Sequence, residues 1–146
     1  MAIFNVRAYG LLINDANQLL ITDEKEYGRQ FTKLPGGGVE YGEGLTDCLK
    51  REFLEECEVE IEVLNHFYTT DFFVKSAFGD SQIIAVYYWV KAISPLNLCI
   101  KTFPFDFDGA GETLQSFRWV NLDDLTPDDM TFPIDKHVVK LLKEIV

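Results

Sequence analysis

The chain has 146 residues, of which 47% are hydrophobic and 25% are charged, and its formal net charge is −11. This length and composition suit one domain with a substantial core, and they exclude a chain that is disordered throughout. The acidic balance argues against a general nucleic-acid binder, which needs a basic surface to meet the phosphate backbone.

Two strands are predicted near the N-terminus, at residues 6–13 and 18–22. The turn-forming residues at 14–17 lie between them, so the two strands are predicted to form a hairpin. A polar loop is predicted at 23–30, and a short extended segment then ends at Leu34.

A Pro-Gly-Gly-Gly run at residues 35–38 separates these strands from the first predicted helix. Three glycines free the backbone to adopt positive φ and let another group come close, so regular structure is predicted to stop there. Apolar residues then recur every four positions from Leu45 to Cys57, and this spacing predicts a helix.

The second half of the chain predicts three strands and a closing helix. The strands are expected at 59–70, 83–92 and 117–121, and the helix at 136–146 with Asp135 as its N-cap. No linker or repeat interrupts the chain. The order of elements predicts the α+β class, a sandwich of mixed sheet with flanking helices, as a single domain over residues 1–146.

Compartment and redox state follow from what the sequence lacks. Its three cysteines are too few and too scattered for a disulfide framework or a zinc site, and we expect them to be reduced. No signal peptide is visible, and the longest apolar run, 83–90, is far shorter than a membrane span. We therefore expect a cytoplasmic protein that binds neither membranes nor nucleic acid.

Three glutamates lie close together on the first predicted helix. At about 100° per residue, Glu55 lies roughly 60° to one side of Glu52 and Glu56 roughly 40° to the other. One interpretation is a solvated acidic face that Lys50 and Arg51 relieve. The other is a metal site, because Mg²⁺ takes carboxylate and phosphate oxygens and gives an acidic protein the local positive charge that a phosphate ligand needs.

Residues 37–59 resemble the sequence box of the Nudix hydrolase family, G-x5-E-x7-R-E-U-x-E-E-x-G-U, where U is a bulky apolar residue. The matching residues are Gly37, Glu43, Arg51, Glu52, Phe53, Glu55, Glu56 and Val59. Glu58 stands where the pattern has its last glycine. A left-handed conformation kept at that position would cost about 1–2 kcal/mol. The resemblance implies the family's α/β/α sandwich fold.

The resemblance also implies roles for the matched residues. Glu55 and Glu56 would be the principal metal ligands, Glu52 would bind a second metal or act as general base, and Gly37 would offer its backbone carbonyl. Mg²⁺ is the expected metal, with Mn²⁺ as the alternative. Water would attack a phosphorus of a diphosphate in line, with metal ions activating the water and stabilising the leaving oxygen.

Further catalytic residues are also implied. Arg51 would orient a catalytic glutamate through a salt bridge, and Glu43 would brace the loop against the helix. Many members of the family use another carboxylate from a distal loop. Glu112 is the candidate here, Asp106 and Asp108 are the alternatives, and an exposed acidic loop is the competing interpretation of all three.

Arg29 and Lys33 are the candidate substrate-binding residues, because they are basic and lie shortly before the box. Their positive charges would meet a substrate phosphate. The competing interpretation is that both are ordinary surface charges.

Together these features predict a metal-dependent pyrophosphohydrolase that cleaves a nucleoside diphosphate linked to another moiety, such as a nucleoside triphosphate, a nucleotide sugar or ADP-ribose. The alternative is a catalytically silent module of the same fold that senses a nucleotide or binds a partner. The intact glutamates at 52, 55 and 56 favour the enzyme. Isomerisation of an isoprenoid diphosphate is less favoured, since no cysteine has an obvious claim to the extra acid–base role. Homodimers are frequent in the family, and a homodimer is compatible with this sequence.

Overall fold

The computed structural model describes residues 3–146 and contains two four-stranded sheets and two α-helices. The elements in chain order are β1 (Phe4–Leu12), β2 (Gln18–Glu26), β3 (Arg29–Lys33), β4 (Gly36–Gly38), α1 (Leu45–Cys57), β5 (Ile61–Thr69), β6 (Gln82–Ala92), β7 (Ile100–Lys101), β8 (Thr113–Asn121) and α2 (Pro133–Ile145). Within residues 3–146, no helix combines the length and apolar character needed to cross a membrane.

The chain divides into two compact units, each built from two separate segments. Among the described residues, the first unit comprises 3–12 and 35–97, and the second comprises 13–34 and 98–146. Both sheets are mixed, since each contains one parallel and two antiparallel pairs. The predicted α+β class is confirmed.

The sheet of the first unit has the strand order β4-β1-β6-β5. Helix α1 packs close to β1, because a Cβ added to Gly10 would lie 2.7 Å from the ring of Phe53. Phe53 is fully buried, as are Cys48, Leu49 and Cys57 on the same helix. Apolar spacing of about four residues therefore placed α1 correctly, and its predicted bounds are confirmed.

The sheet of the second unit has the strand order β3-β2-β8-β7. Ile21 in β2 is fully buried, and so are Val138 and Leu142 in α2. At the start of α2 the ring of Phe132 lies 5.3 Å from that of Phe31 in β3. These apolar residues form the core of this unit.

The predicted pairing of the first two strands as a hairpin is wrong except for one antiparallel bridge, between Ile13 and Leu19. β1 and β2 lie in different sheets, and β2 pairs with β3 and β8 instead. The loop predicted at 23–30 is also wrong, because β2 and β3 leave only Tyr27 and Gly28 between them, both with positive φ. Two central residues with positive φ match the twist of a tight hairpin. Polar composition suggested a loop, but Asp23 and Glu24 of β2 are buried and pair with Arg118 and Lys33, which the sequence did not reveal.

Three further boundaries differ from the predictions. The glycine run does not end regular structure: it forms β4, which pairs antiparallel with β1. β8 begins at Thr113 rather than at residue 117. Helix α2 begins at Pro133, so its N-cap is Phe132 and not Asp135. Proline is well suited to the first helical position, and the carboxylate of Asp135 in the first turn complements the helix dipole.

We expect Glu58→Gly to stabilise the protein by about 1 kcal/mol, because glycine adopts left-handed backbone without steric strain. Glu58 has φ 52° and ψ 34°, and its N–H donates to the carbonyl of Leu54 at 3.1 Å. Urea unfolding measures the change. Glu58→Ala is the control, since it removes the charge and keeps the strain. An equal gain in both variants would contradict a backbone origin.

Candidate active site

In the first unit, β4 and α1 bring the glycine run against a helix glutamate. A Cβ added to Gly37 would lie 2.5 Å from the Oε1 atom of Glu52, which is closer than real Cβ contacts come. Glycine is therefore required there if Glu52 is to keep its position. The Glu52 carboxylate, whose side chain is 14% exposed, lies directly against the backbone of β4.

Arg51 connects the carboxylates of this region. Its Nε and Nη2 atoms donate to the two oxygens of Glu43 at 3.0 and 2.6 Å, which is a bidentate pair. Nη1 donates to Glu52 at 3.0 Å and to Glu55 at 3.2 Å. Nη2 also donates to the carbonyl of Gly38 at 3.1 Å. One guanidinium thus joins β4, the following loop and α1.

The pair of Arg51 and Glu43 also shifts the ionisation of both groups. The hydrogen bonds from Arg51, followed by one from the Glu40 backbone, lower the pKa of Glu43 to about 2. In turn, the carboxylate of Glu43 raises the pKa of Arg51. Both groups therefore remain charged at neutral pH, and the link between loop and helix does not depend on protonation there.

The three glutamates on α1 differ in exposure. Glu52 is largely shielded, the Glu55 side chain is 59% exposed, and the Oε2 atom of Glu56 is buried. Carboxylate oxygens beside a backbone carbonyl are the hard donors that Mg²⁺ prefers, and the space that a Gly37 side chain would fill is held by one of them. The donor chemistry therefore fits the implied metal. Within residues 3–146, no three His, Cys, Asp or Glu side chains are already gathered into a metal cluster.

The other predicted site residues lie in the second unit. Arg29 is exposed at the start of β3 and pairs across the strands with Glu26. Lys33 is buried at the end of β3, with its Nζ atom 3.2 Å from Glu24. Glu112 is exposed just before β8, and its backbone carbonyl accepts from the N–H of Tyr27 at 2.7 Å. Lys33 is therefore not an ordinary surface charge.

Asp106 and Asp108, the two alternatives to Glu112, are both exposed. Asp108 accepts from Nζ of Lys101 at 2.7 Å, and this hydrogen bond raises the pKa of the lysine. Asp106 contributes to the same shift through its charge. The structure thus gives Asp108 a local partner on β7.

A buried ion pair in the second unit was not predicted from the sequence. Arg118 donates to both oxygens of the fully buried Asp23 at 2.6 and 3.0 Å. The hydroxyl of Thr32 donates to the same carboxylate at 2.7 Å. Asp23 lies in the segment that was predicted to be a loop, and local composition gave no signal of a partner 95 positions away along the chain.

Cys48 was also not predicted to adjoin the site. Its Sγ atom lies 3.7 Å from the carbonyl oxygen of Gly37 and 3.5 Å from that of Gly38. Burial is the largest cause that raises the pKa of its thiol, to about 11. Cys48 precedes Glu52 by four positions, so helical spacing alone would have placed the two on one face.

Nearly the whole chain matches a known protein family. The family model "NUDIX domain" matches residues 4–142. A MutT protein from Methanosarcina mazei Go1 is similar in structure, with a TM-score of 0.71, 15% sequence identity and coverage of 98% of this chain and 95% of that one.

Two further solved structures show the same fold. A NUDIX hydrolase from Nitrosomonas europaea has a TM-score of 0.68 and 16% identity, covering 93% of this chain and 86% of its own. An ADP-ribose pyrophosphatase from Streptococcus suis has a TM-score of 0.60 and 15% identity, covering 96% and 90%. At such identities the likeness concerns the fold.

Proposed function

The chain belongs to the NUDIX family of hydrolases, and we propose that it is a Mg²⁺-dependent pyrophosphohydrolase of nucleoside-diphosphate derivatives. The observation that supports this most is the close approach of the Glu52 carboxylate to the backbone of Gly37. A solvated acidic helix face has no need to hold a carboxylate against a glycine strand. A metal site does need carboxylate and carbonyl oxygens side by side.

The proposed metal-holding groups are Glu52, Glu55, Glu56 and the carbonyl of Gly37. When bound, Mg²⁺ would supply positive charge to the phosphoryl oxygens and make a bound water more acidic. Glu52 would take the proton of the attacking water, since its carboxylate is shielded and held in position. Arg51 would fix that carboxylate through the contact at 3.0 Å.

The proposal also includes three residues of the second unit. Arg29 would contact a substrate phosphate directly, because it is exposed. Lys33 would also meet a substrate phosphate, from the position in which it pairs with Glu24. Glu112, exposed before β8, would be the additional acid–base carboxylate. One catalytic domain is proposed to extend over residues 1–146.

The substrate is proposed to be a nucleoside triphosphate, a nucleotide sugar or ADP-ribose. One structural relative is an ADP-ribose pyrophosphatase, so ADP-ribose belongs in the first assay together with nucleoside triphosphates and nucleotide sugars. The panel is incubated with Mg²⁺ or Mn²⁺, and release of phosphate, pyrophosphate and nucleoside monophosphate is measured.

We expect one compound class to be hydrolysed with Mg²⁺, and a chelator to reduce turnover by at least about 10³-fold, because the developing phosphoryl charge then loses its counter-charge. Restored Mg²⁺ should recover the rate. Binding of a nucleotide without turnover under either metal would instead favour the silent sensing module.

A further inference from the structure

Arg7 of β1 lies beside β4, the strand of three glycines. In the register of β1 and β4, Arg7 lies opposite Gly38, and β4 is the edge strand of its sheet. The Nη1 atom of Arg7 lies 3.6 Å from where a Cβ of Gly38 would be, and Oδ1 of Asn5 lies 3.9 Å from the same point. Because Gly38 has no side chain, the guanidinium of Arg7 and the amide of Asn5 lie close to its backbone.

The guanidinium of Arg7 is held in place by its neighbour Tyr9. Its Nε atom donates to the Tyr9 hydroxyl, and its Cζ atom lies 5.6 Å from the centre of the Tyr9 ring. Tyr9 is itself buried and packs against Tyr87 at 5.2 Å between ring centres. A cation fixed in this way loses little conformational freedom when it binds an anion.

The positive charge of Arg7 matters because basic groups are scarce in this acidic chain. The first unit contains five Lys or Arg residues, and Arg51 already contacts four carboxylates within 4 Å. Lys50, Lys75 and Lys91 are exposed, in contrast to Arg7. Arg7 is therefore a half-buried cation next to the strand that adjoins the glutamates.

Gly37 and Gly38 face opposite sides of the sheet, since successive residues of a strand alternate. The side of Gly37 carries Glu52, and the side of Gly38 carries Arg7. An edge strand of three glycines has no side chains to separate these two sides. At Gly38, the half-buried residue of β4, a diphosphate would meet the guanidinium of Arg7, while Glu52 lies on the other face at the neighbouring Gly37.

We propose that Arg7, with Asn5 beside it, binds the phosphoryl group of the substrate diphosphate that water does not attack. This inference rests on the proposed function. Arginine suits the role because its planar fork matches phosphate oxygens two at a time. The contact is made to the bound substrate as well as to the transition state, so its loss raises KM and leaves kcat nearly unchanged.

The test compares Arg7→Gln with Lys91→Gln, which removes the same charge from an exposed position in the same unit. Two quantities are measured: KM and kcat for the hydrolysed compound, and the Kd of inorganic pyrophosphate with Mg²⁺ by calorimetry. For Arg7→Gln we expect both KM and Kd to rise roughly 10-fold, as for loss of a charge-assisted contact, with kcat within about threefold. Lys91→Gln should match the wild type.

Two more variants separate binding from folding. Arg7→Lys keeps the charge without the fork and should fall between the wild type and Arg7→Gln. Tyr9→Phe keeps the ring and removes the hydroxyl that holds Arg7, so it should raise the Kd of pyrophosphate by a smaller factor. Thermal unfolding is followed for each variant, and Arg7→Gln, Arg7→Lys and Tyr9→Phe are all expected to unfold cooperatively.

The possible failures are distinguishable. If the wild type hydrolyses its substrate but Arg7→Gln and Arg7→Lys keep its KM and its Kd for pyrophosphate, the inference is wrong and the proposed function stands. If Arg7→Gln lowers kcat while KM is unchanged, the assignment to substrate binding is also wrong. If the wild type neither turns over the panel nor binds pyrophosphate, both proposals fall together.

Discussion

Glu56→Gln is expected to lower kcat/KM by about 10³-fold or more, on the order of 4 kcal/mol of transition-state stabilisation. Glutamine preserves the shape of the side chain and removes the negative charge that a metal ligand provides. The Oε2 atom of Glu56 is buried, so bulk water has little access to this ligand position in the variant. Steady-state hydrolysis at saturating Mg²⁺ measures the loss.

Glu60→Gln is the matched control for that variant, because it makes the same chemical change at an exposed position just beyond α1. It should retain full activity. Circular dichroism should show both variants folded. A Glu56→Gln enzyme that keeps kcat/KM within about tenfold of the wild type would remove Glu56 from the proposed ligands, since a true ligand contributes more than that.

Arg51→Lys is expected to lower kcat by about 10²-fold, because lysine cannot reproduce a bidentate pair. Arg51 contacts Glu43 through two nitrogens and reaches Glu52, Glu55 and the carbonyl of Gly38 as well. A lysine would keep the charge but hold fewer of these groups. Glu52 would then lose its fixed position against β4. The decrease should appear in kcat more than in KM, because the proposed role is to position the general base.

A double-mutant cycle with Glu43→Gln shows whether the effect passes through this pair. If Arg51 and Glu43 act together, the double variant loses little more than Arg51→Lys alone, since directly contacting residues are not additive. Losses that add fully would show that they act separately. Lys50→Gln, one residue away and exposed, should leave kcat unchanged.

Elements that form for local reasons could be predicted from the amino-acid sequence. Helix α1 was placed correctly because its apolar residues recur at helical spacing, and residues three and four apart meet on one face. The same spacing placed Glu52, Glu55 and Glu56 on one arc. The resemblance of residues 37–59 to the Nudix box separately indicated the family, and the family model over residues 4–142 confirms it. Even the departure at Glu58 was visible, and its left-handed conformation is present in the structure.

The pairing of the strands could not be predicted from the sequence and is known only from the folded structure. β1 pairs with β4 and β6. Because β6 lies more than 70 positions further along the chain than β1, no local turn signal predicts that the two strands pair. The glycine run was predicted to stop regular structure because its permissive backbone fits a turn equally well. Pairing with β1 makes it an edge strand, and this places Gly37 against Glu52.

Buried charges were hidden from the sequence for the same reason. Asp23 appeared to be a loop residue because an isolated carboxylate is costly to bury. Arg118 and Thr32 satisfy it from β8 and β3, and these strands come to lie on either side of β2 only in the folded sheet. Arg7 likewise became a candidate binding residue only through its register with Gly38. Helical contacts are fixed by spacing along the chain, whereas strand contacts are fixed by partners that only the folded sheet brings together.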